Sequence, residues 1–360
     1  MNSDLKKVAI LFGGRSTEHA ISLLSARNVI SSLDKDKYVP VLIGIDKKGQ
    51  WHYRRDAISM LGSTPEDLLP PDLNNPVLLS QNADAKALYS PSGEQVQNID
   101  VIFPVLHGTY GEDGSIQGLA KLANIPCVGC GIVGSAVGMD KDIMKLVLSS
   151  LDISVANWAT VRYSGDDVDY VSIADQLGQE LFIKPANLGS SVGVSHVKDE
   201  QSFVTALREA LKYDTKVIIE EKITGREIEC AVLGNASPRA SIPGEIVSKG
   251  FYSYDNKYVD KEGARLHIPA DLTPEQVNAV QELALATYIG LECRGMTRVD
   301  MFLTEADELI INEVNTIPGF TDISMYPKLW EYSGLSQKEL ISELIELAID
   351  EHQKQNKLKL

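Results

Sequence analysis

In the first third of the chain, segments with the apolar pattern of buried strands alternate with a segment that has the apolar spacing of a helix. Short, mostly apolar runs at 8–12, 39–45, 101–106 and 125–128 have the length of buried strands. Between the first two runs, apolar positions recur every three or four residues, which predicts a helix. These positions are Leu23, Ala26, Ile30 and Leu33. Strands that alternate with helices are typical of an α/β unit with a parallel sheet.

The pattern changes near Met139. Helices are predicted at 141–151 and 200–213, and strands at 181–184, 217–220, 228–233, 296–303 and 309–314. The chain ends in an amphipathic helix. Its apolar face is formed by Leu340, Ile341, Leu344, Ile345, Leu347 and Ala348.

Two segments lack a clear period. Residues 62–98 are rich in Pro, Asn, Ser and Asp, which indicates an insertion or a long connection. Residues 249–269 form an irregular stretch that is too long for a passive turn, so we expect a lid over a site.

Composition narrows the class of protein. The 360 residues are too many for one ordinary core and indicate two or three domains. The net charge of −16 repels nucleic acid and anionic membranes, so neither is expected as a partner. No signal peptide or apolar run of membrane-spanning length is visible, and the four cysteines fit a reduced compartment; we therefore expect a cytoplasmic protein. Cys127 and Cys130 form a CxxC pair without a second pair, which favours reduced thiols over a zinc site.

The most informative local pattern lies in the predicted strands at 296–303 and 309–314. Side chains two apart share one face of a strand, so Arg298 lies with Asp300, and Glu313 lies with Asn315. Only residues 304–308 separate the strands, so a hairpin would bring both pairs to one pocket. Two carboxylates and an amide oxygen are ligands that Mg²⁺ accepts, usually together with substrate phosphates. The alternative is a surface salt bridge.

A second pattern suits a phosphate. The segment after Lys184 contains Gly189, Ser190, Ser191 and Gly193, whose amides and hydroxyls can approach an anion closely. It is not a Walker loop, and a plain hairpin turn is the alternative. Lys141 offers a second cation.

Two other functional classes stay open at this point. Residues 129–134 match GxGxxG after a strand, which raises a nicotinamide oxidoreductase. That fingerprint should open the first βαβ unit and be followed by an acid at a strand end, and neither condition is met. The other alternative is a regulatory protein that binds a nucleotide without catalysing a reaction. Such a protein would have no use for Arg298, Asp300 and Glu313.

The motifs together resemble the D-alanine:D-alanine ligase branch of the ATP-grasp family over nearly the whole chain. The matching segments are Gly13-Gly14-Arg15-Ser16-Thr17-Glu18-His19, 107–114, Met139-Asp140-Lys141, Lys184-Pro185 with 189–193, Gly225-Arg226-Glu227, 254–258, Arg298-Val299-Asp300 and 312–319. The resemblance implies a mixed α/β ATP-grasp fold with three domains, at 1–139, 140–224 and 225–360, and ATP held between the second and third. It also implies a ligase that joins two D-alanines through an acyl phosphate for peptidoglycan precursors.

The resemblance assigns the nucleotide site residue by residue. Lys141 and Lys184 would neutralise the α- and β-phosphates, and Gly189, Ser190 and Ser191 would cover the β- and γ-phosphates. The adenine would be read along Glu220, Glu221 and Ile223, largely by backbone groups, and Glu227 would hold the ribose. Asp300, Glu313 and Asn315 would ligate Mg²⁺, with two ions expected and Mn²⁺ able to substitute.

The resemblance also assigns the chemistry. Arg298 and the Gly319 amide would stabilise the oxyanion, and the lid would bring Lys257 to the γ-phosphate and Tyr258 to the substrate, with Ser190 as partner of Tyr258. Ser324 and Met325, at a turn or helix start, would receive the second substrate's carboxylate. His107 would either contact the first subsite or hold its loop. The family suggests a homodimer.

One position departs from the family pattern, and one specificity stays open. The family motif is taken as Glu-His-Glu, with its last glutamate on the first D-alanine's ammonium, and here that position is Ala20. Glu18 is expected to point elsewhere, so the Michaelis constant for the first D-alanine should be raised. Tyr258 favours an amine acceptor over D-lactate, whereas a D-serine acceptor remains an alternative.

Overall fold

The computed structural model describes residues 5–55, 74–162, 168–248 and 264–359. The first part of the chain forms, in order, β1 (Lys6–Gly13), α1 (His19–Ser32), β2 (Tyr38–Ile45), β3 (Trp51–Arg54), β4 (Leu78–Leu79), β5 (Ala87–Tyr89), β6 (Gln95–Asn98), β7 (Val101–Pro104), α2 (Ser115–Leu122) and α3 (Ile132–Met139).

A four-stranded sheet in the order β3-β2-β1-β7 organises this part. Strand β1 pairs in parallel with β2 and β7, whereas β3 is antiparallel to β2. Because parallel strands end at the same edge, the turn after Gly13 and the loop after Pro104 lie side by side there. The polar residues that follow both strands are therefore brought together.

Two expectations for this part are corrected. The segment expected as a loose insertion contains, within its described residues, a small antiparallel sheet of β4, β5 and β6. No strand forms at 125–128, where Cys127 makes only an isolated bridge to Ile102. Ile125 and Val128 are still buried, so their apolar character reflects packing instead of strand formation.

The middle part continues with α4 (Lys141–Ser150), β8 (Trp158–Arg162), α5 (Tyr170–Leu177), β9 (Leu181–Pro185), β10 (Ser195–Val197), α6 (Glu200–Ala210) and β11 (Lys216–Glu221). Its antiparallel sheet has the order β10-β9-β11-β8. Helix α4 begins where the Asp140 side chain accepts from the amides of Asp142 and Ile143, which is an N-cap. This cap fixes Lys141 at the first position of the helix.

The last part contains β12 (Arg226–Gly234), β13 (Arg239–Ala240), β14 (Gly244–Ser248), β15 (Ala264–His267), α7 (Pro274–Gly290), β16 (Gly295–Leu303), β17 (Leu309–Asn315), α8 (Met325–Tyr332) and α9 (Gln337–Gln355). The strands follow the order β15-β14-β12-β16-β17, with β13 beside β12. The expected irregular stretch at 249–269 is partly wrong, because Ala264–His267 pairs with β14; residues 249–263 lie outside the described residues.

One apolar core joins the two ends of the chain. Val8 of β1, Leu233 of β12 and Leu344 of α9 belong to the same buried cluster. The predicted face of α9 is confirmed for Leu340, Ile341, Leu344, Ile345 and Ala348, which are buried, and Leu347 is partly buried against the cluster. The first sheet therefore packs directly on the last part of the chain. None of the helices that the structure describes combines the length and the apolar character needed to cross a bilayer.

The GxGxxG segment has a packing role. Gly129 lies against Gly295, where a Cβ on Gly295 would come within 3.0 Å of the Gly129 Cα. A Cβ on Gly134 in α3 would approach the Glu292 carbonyl at 2.8 Å. The glycines thus permit backbone contact between α3 and the last part of the chain, which accounts for the pattern without a dinucleotide.

Candidate active site

A cavity of about 110 Å³ opens between the first sheet, the β9–β10 loop and the β16–β17 hairpin. Most predicted catalytic and substrate residues line it. Those residues are His107, Gly189, Ser190, Arg298, Glu313, Asn315, Gly319, Ser324 and Met325, and Glu18, Glu112 and Glu229 join them.

The predicted hairpin forms, and a β-bulge between Asp300 and Met301 sets its register. Arg298 lies opposite Asn315, and Asp300 lies opposite Glu313. The Arg298 guanidinium donates two parallel hydrogen bonds to Asp300, each 2.7 Å, and its Nε lies 2.9 Å from Glu229 Oε2. Asn315 Nδ2 donates to Asp300 Oδ2 at 3.0 Å. Because burial opposes the charge while Asp300 and Glu229 favour it, the net pKa of Arg298 lies well above its usual value.

Each of the two lysines predicted to bind phosphate lies close to a glutamate. Lys141 Nζ donates to the Leu188 carbonyl at 2.7 Å and lies 3.5 Å from Glu313 Oε2. Lys184 contacts Glu220 and lies 3.4 Å from Asn312 Oδ1. Both cations are therefore held by counter-ions that an incoming polyphosphate could replace, and Glu313, the partner of Lys141, lines the cavity.

The acidic set fits a hard cation. Asp300, Glu313 and Asn315 present two carboxylates and one amide on neighbouring strands, and Arg298 already compensates Asp300. Within the described ranges, no group of three or more His, Cys, Asp or Glu side chains forms a complete metal site. A cation with strong demand for oxygen would therefore need further ligands from substrate phosphates, as Mg²⁺ commonly does.

Glu220 lies near the end of β11, and its side chain has partners that were not predicted from the sequence. Its carboxylate is buried and bridges Lys184 and Lys145, and Lys145 Nζ lies 3.0 Å from Glu220 Oε1. Burial would raise the pKa of Glu220, but the two lysines outweigh it and lower that pKa to about 2. The side chain thus stabilises a lysine pair. Its strand is paired on both sides, where Glu220 lies opposite Trp158 and Phe182, and a role of its backbone toward adenine stays a prediction. Lys145 was not recognised in the sequence, because a lysine on the buried side of a helix gives no local signal.

The other residues predicted to bind the nucleotide lie at or near the connection from β11 to β12. Glu221 accepts a 2.7 Å hydrogen bond from the Asn157 amide, so its side chain holds the edge of β8. Ile223 lies in the connection from β11 to β12, and Glu227 lies within β12 beside the connection. Their roles toward adenine and ribose stay predictions.

The expectation about Glu18 is wrong. Glu18 is buried at the start of α1 and accepts a hydrogen bond from the Ser190 hydroxyl. It also lies near Gly189, whose added Cβ would meet Glu18 Oε2 at 3.3 Å. Ala20 is exposed instead. The turn after Gly14 directs the carboxylate of residue 18 into the cavity, so the predicted loss of an ammonium anchor at residue 20 has no geometric basis.

Separate substitutions at positions 18 and 20 test which carboxylate position affects binding of the first substrate. We expect Ala20→Glu to change the Michaelis constant for the first D-alanine by less than about twofold, because a carboxylate on an exposed helix face stays in water. Glu18→Gln should raise that constant by about tenfold or more, because the cavity then loses a carboxylate able to pair with an ammonium. Initial rates with D-alanine as the varied substrate measure both. A large decrease of the constant in Ala20→Glu would restore the original expectation.

The β9–β10 loop is a hairpin connection that also borders the cavity. Strand β9 pairs antiparallel with β10, which is the alternative left open from sequence. Ser190 and Ser191 nevertheless have positive φ values of 52° and 58°. Such backbone conformations are uncommon for non-glycine residues and cluster at ligand sites.

Two groups from the loop after β7 reach the cavity. His107 is buried, and its Nδ1 lies 3.1 Å from the Ile317 carbonyl. Burial lowers the pKa of His107 below its usual value, which favours the neutral ring. Burial and the nearby Glu18 raise the pKa of Glu112 to about 8, although it accepts from the amides of Gly108 and Ile317. Glu112 lies in the matching segment 107–114, and no role was predicted for it.

The start of α8 lies at the far wall. Ser324 is its N-cap residue but gives its side chain to Thr321, whose amide donates to Ser324 Oγ at 2.9 Å. Met325 begins the helix and is buried. No described side chain caps the first amides of α8. Binding of the second substrate's carboxylate there stays a prediction. Lys257 and Tyr258 lie outside the described residues.

The comparisons with known proteins cover both halves of the chain. The family model described as D-ala D-ala ligase N-terminus matches residues 7–130, and the one described as D-ala D-ala ligase C-terminus matches residues 147–346. The D-alanine--D-alanine ligase of Shouchella clausii is 52% identical over 98% of this chain and 97% of its own length. The D-alanine--D-alanine ligase A of Escherichia coli K12 is 45% identical, with 98% of each chain covered.

Solved structures agree. The D-alanine-D-alanine ligase from Coxiella burnetii superposes with a TM-score of 0.86 at 40% identity, covering 98% of this chain and 97% of its own. The VanG D-Ala:D-Ser ligase from Enterococcus faecalis gives 0.85 at 38% identity, covering 96% and 99%. The expected mixed α/β ATP-grasp fold is confirmed. With matches of this extent, the chain belongs to the D-alanine:D-alanine ligase family.

Proposed function

We propose that the protein is an ATP-dependent ligase that joins two D-alanines into D-alanyl-D-alanine, with release of ADP and phosphate. One observation carries the proposal: an arginine, a serine–glutamate pair and two of the expected oxygen ligands for a cation, Glu313 and Asn315, line a single cavity, and Lys141 lies 3.5 Å from Glu313. These residues together can bind a carboxylate, an ammonium group and a polyphosphate. It supports neither hydride transfer nor simple nucleotide binding.

The chemistry follows from the poor reactivity of a carboxylate. The first D-alanine's carboxylate oxygen attacks the γ-phosphorus, the bond to the β–γ bridging oxygen breaks, and an acyl phosphate and ADP result. The second D-alanine's neutral amine then attacks the acyl carbon. The tetrahedral adduct loses phosphate, and the nitrogen loses its proton.

The chain's own groups hold the reactants. Lys141 and Lys184 would leave Glu313 and Glu220 to neutralise the phosphates, with Ser190 and Ser191 adding donors from the β9–β10 loop. Asp300, Glu313 and Asn315 would hold Mg²⁺, with Mn²⁺ as a substitute and a second ion shared with the phosphates. When bound, the metal neutralises charge on the phosphoryl oxygens. Glu18, steadied by Ser190, would receive the first D-alanine's ammonium.

Arg298 and Gly319 are suited to the oxyanion. The Arg298 side chain is only 17% exposed, so its charge acts in a poorly solvated site. The amides of Ile317, Phe320 and Thr321 have acceptors, and residue 318 is proline. No described residue accepts from the Gly319 amide, which leaves that donor to a ligand. Lys257 and Tyr258 on the 249–263 segment remain predicted contacts with the γ-phosphate and substrate.

A phosphate-release assay tests the reaction class. With ATP and Mg²⁺, we expect release that requires D-alanine and saturates with it, whereas L-alanine and D-lactate give none. Omission of the metal should abolish turnover. Mass analysis of products from mixed D-alanine and D-serine decides the acceptor. Phosphate release without a D-amino acid, or a preference for D-serine at the second position, would contradict the proposal.

Three further proposals depend on the same family. The product would supply peptidoglycan precursor synthesis, the protein would act in the cytoplasm, and it would form a homodimer. Sedimentation equilibrium tests the last of these, and a monomer at micromolar concentration would contradict it. The domain limits at 1–139, 140–224 and 225–360 are tested by limited proteolysis, which should cut near residues 139 and 224.

A further inference from the structure

Residues 317–322, here called the oxyanion loop, connect β17 to α8 and contain Gly319. The loop lies between two distant parts of the chain. Side chains from the first part hold it at several backbone atoms, whereas its own strand and helix hold only its ends.

Two residues from the loop after β7 hold the start of the oxyanion loop. Glu112 Oε1 accepts from the Ile317 amide at 3.0 Å, and His107 Nδ1 lies 3.1 Å from the Ile317 carbonyl oxygen. Both polar atoms of this residue are thus occupied. Pro318 follows, and its ring fixes its φ angle.

Two residues from α1 hold the end of the loop. Ser25 Oγ accepts from the Phe320 amide at 3.2 Å. Asn28 Nδ2 donates to the Phe320 carbonyl and to Asp322 Oδ1, each at 2.9 Å. Ser25 and Asn28 are three apart, so they share one face of α1. Gly319 therefore lies between two fixed peptide units.

The contacts form one continuous chain of hydrogen bonds. Ser25 Oγ lies 3.1 Å from His107 Nε2. Since the Ile317 carbonyl can only accept, a neutral His107 ring carries its proton on Nδ1, and its Nε2 then accepts from the Ser25 hydroxyl. Ser25 is fully buried and His107 nearly so, which excludes water as an easy replacement. The chain begins and ends on the oxyanion loop.

We propose that Ser25, Asn28, His107 and Glu112 are positioning residues that fix the direction of the Gly319 amide toward the reacting carbonyl. The assignment of the bound group as an oxyanion rests on the proposed ligase function. The fixing of the loop by these four side chains does not. An oxyanion donor acts only when it is aimed before the reaction, and an error of about 1 Å can cost about 100-fold in rate. His107 thereby acts through the loop and not as a substrate contact.

The serines of α1 provide a matched experiment. Ser25 and Ser22 are both fully buried in α1, but within the described residues the Ser22 hydroxyl bonds to Gly13 and Val105, which both belong to the first part. We expect Ser25→Ala to lower kcat by about 10- to 100-fold, with the Michaelis constant for ATP unchanged within about twofold. Ser22→Ala should lower kcat by less than about threefold. Affinity for a phosphinate dipeptide analogue, which mimics the tetrahedral adduct, should fall with kcat in Ser25→Ala, while ADP affinity stays constant.

A second variant guards against misfolding. Asn28 is only partly buried, so Asn28→Ala should fold, and we expect its kcat and phosphinate affinity to fall together by about tenfold. Equal kcat values for Ser25→Ala and Ser22→Ala, or an unchanged phosphinate affinity in both Ser25→Ala and Asn28→Ala, would overturn the proposal.

Hydrogen exchange separates this inference from the ligase proposal. Exchange of the amides in a peptide covering 317–322 should be faster in Ser25→Ala than in wild type and unchanged in Ser22→Ala. This measurement needs no turnover. Absence of D-alanine-dependent activity in the wild type would reject the ligase function alone, whereas equal exchange in both variants would reject the positioning role alone.

Discussion

Replacement of Arg298 by alanine is expected to lower kcat for dipeptide formation by about 10²–10³-fold. The guanidinium faces the cavity with little exposure and is fixed by Asp300 and Glu229, so it needs no reorganisation when negative charge develops. Its removal also leaves two acids without their cation, which disfavours a further anion in the site. Initial rates at saturating ATP and D-alanine measure the loss.

Two controls interpret that loss. Arg298→Lys keeps the charge but not the two-pronged contact with Asp300, so we expect partial activity. Arg239→Ala removes an arginine that is also paired bidentately, with Glu343, and that is not among the residues lining the cavity; it should retain kcat within about twofold. An Arg298→Ala variant within tenfold of wild type would show that the oxyanion is stabilised elsewhere.

Glu220→Gln is expected to lower the free energy of unfolding by about 3–5 kcal/mol at pH 7. The buried carboxylate faces Lys145 and Lys184, and Lys145 is only 1% exposed, so neutralisation of Glu220 leaves two cations poorly solvated. Lys184 would also lose its position, and the Michaelis constant for ATP should rise. Urea denaturation followed by tryptophan fluorescence reports stability, because Trp158 lies beside Lys145.

The pH dependence of this effect has a definite sign. The pKa of Glu220 is lowered from 4.5 to about 2 in the folded state, so its stabilisation is complete above pH 4.5 and is lost as pH falls toward 2. The stability difference between wild type and Glu220→Gln should therefore be full at pH 7 and shrink below pH 4.5. A difference that grows on acidification would contradict the assignment.

Neighbouring variants provide the controls for Glu220. Glu221→Gln changes the adjacent glutamate, whose partner is a backbone amide, and should cost less than about 1 kcal/mol. Adding Lys145→Met to Glu220→Gln removes one uncompensated cation, so the double variant should be more stable than Glu220→Gln alone. If Glu220→Gln and Glu221→Gln lose equal stability, the lysine bridge has no special weight.

Periodicity and strand parity were reliable because they depend on neighbours along the chain. The alternation of two predicted the shared face of Arg298 and Asp300, and the short polar loop predicted the hairpin with Glu313 and Asn315. The apolar face of α9 was also visible locally. By contrast, the apolar residues at 125–128 were mistaken for a strand, because burial alone does not specify backbone pairing.

The amino-acid sequence by itself determined many of the helices and strands, the shared strand faces of the hairpin and the residue types available for phosphate and metal binding. Only the tertiary structure decided that Glu18 and not residue 20 enters the cavity, since the Glu18–Ser190 contact joins residues 172 apart. It also decided that Ser25 holds the Phe320 amide across 295 residues and that Lys145 shares Glu220. The physical reason is that side-chain direction at a turn, and contacts between distant segments, depend on how sheets and helices pack and leave no periodic signal in the chain.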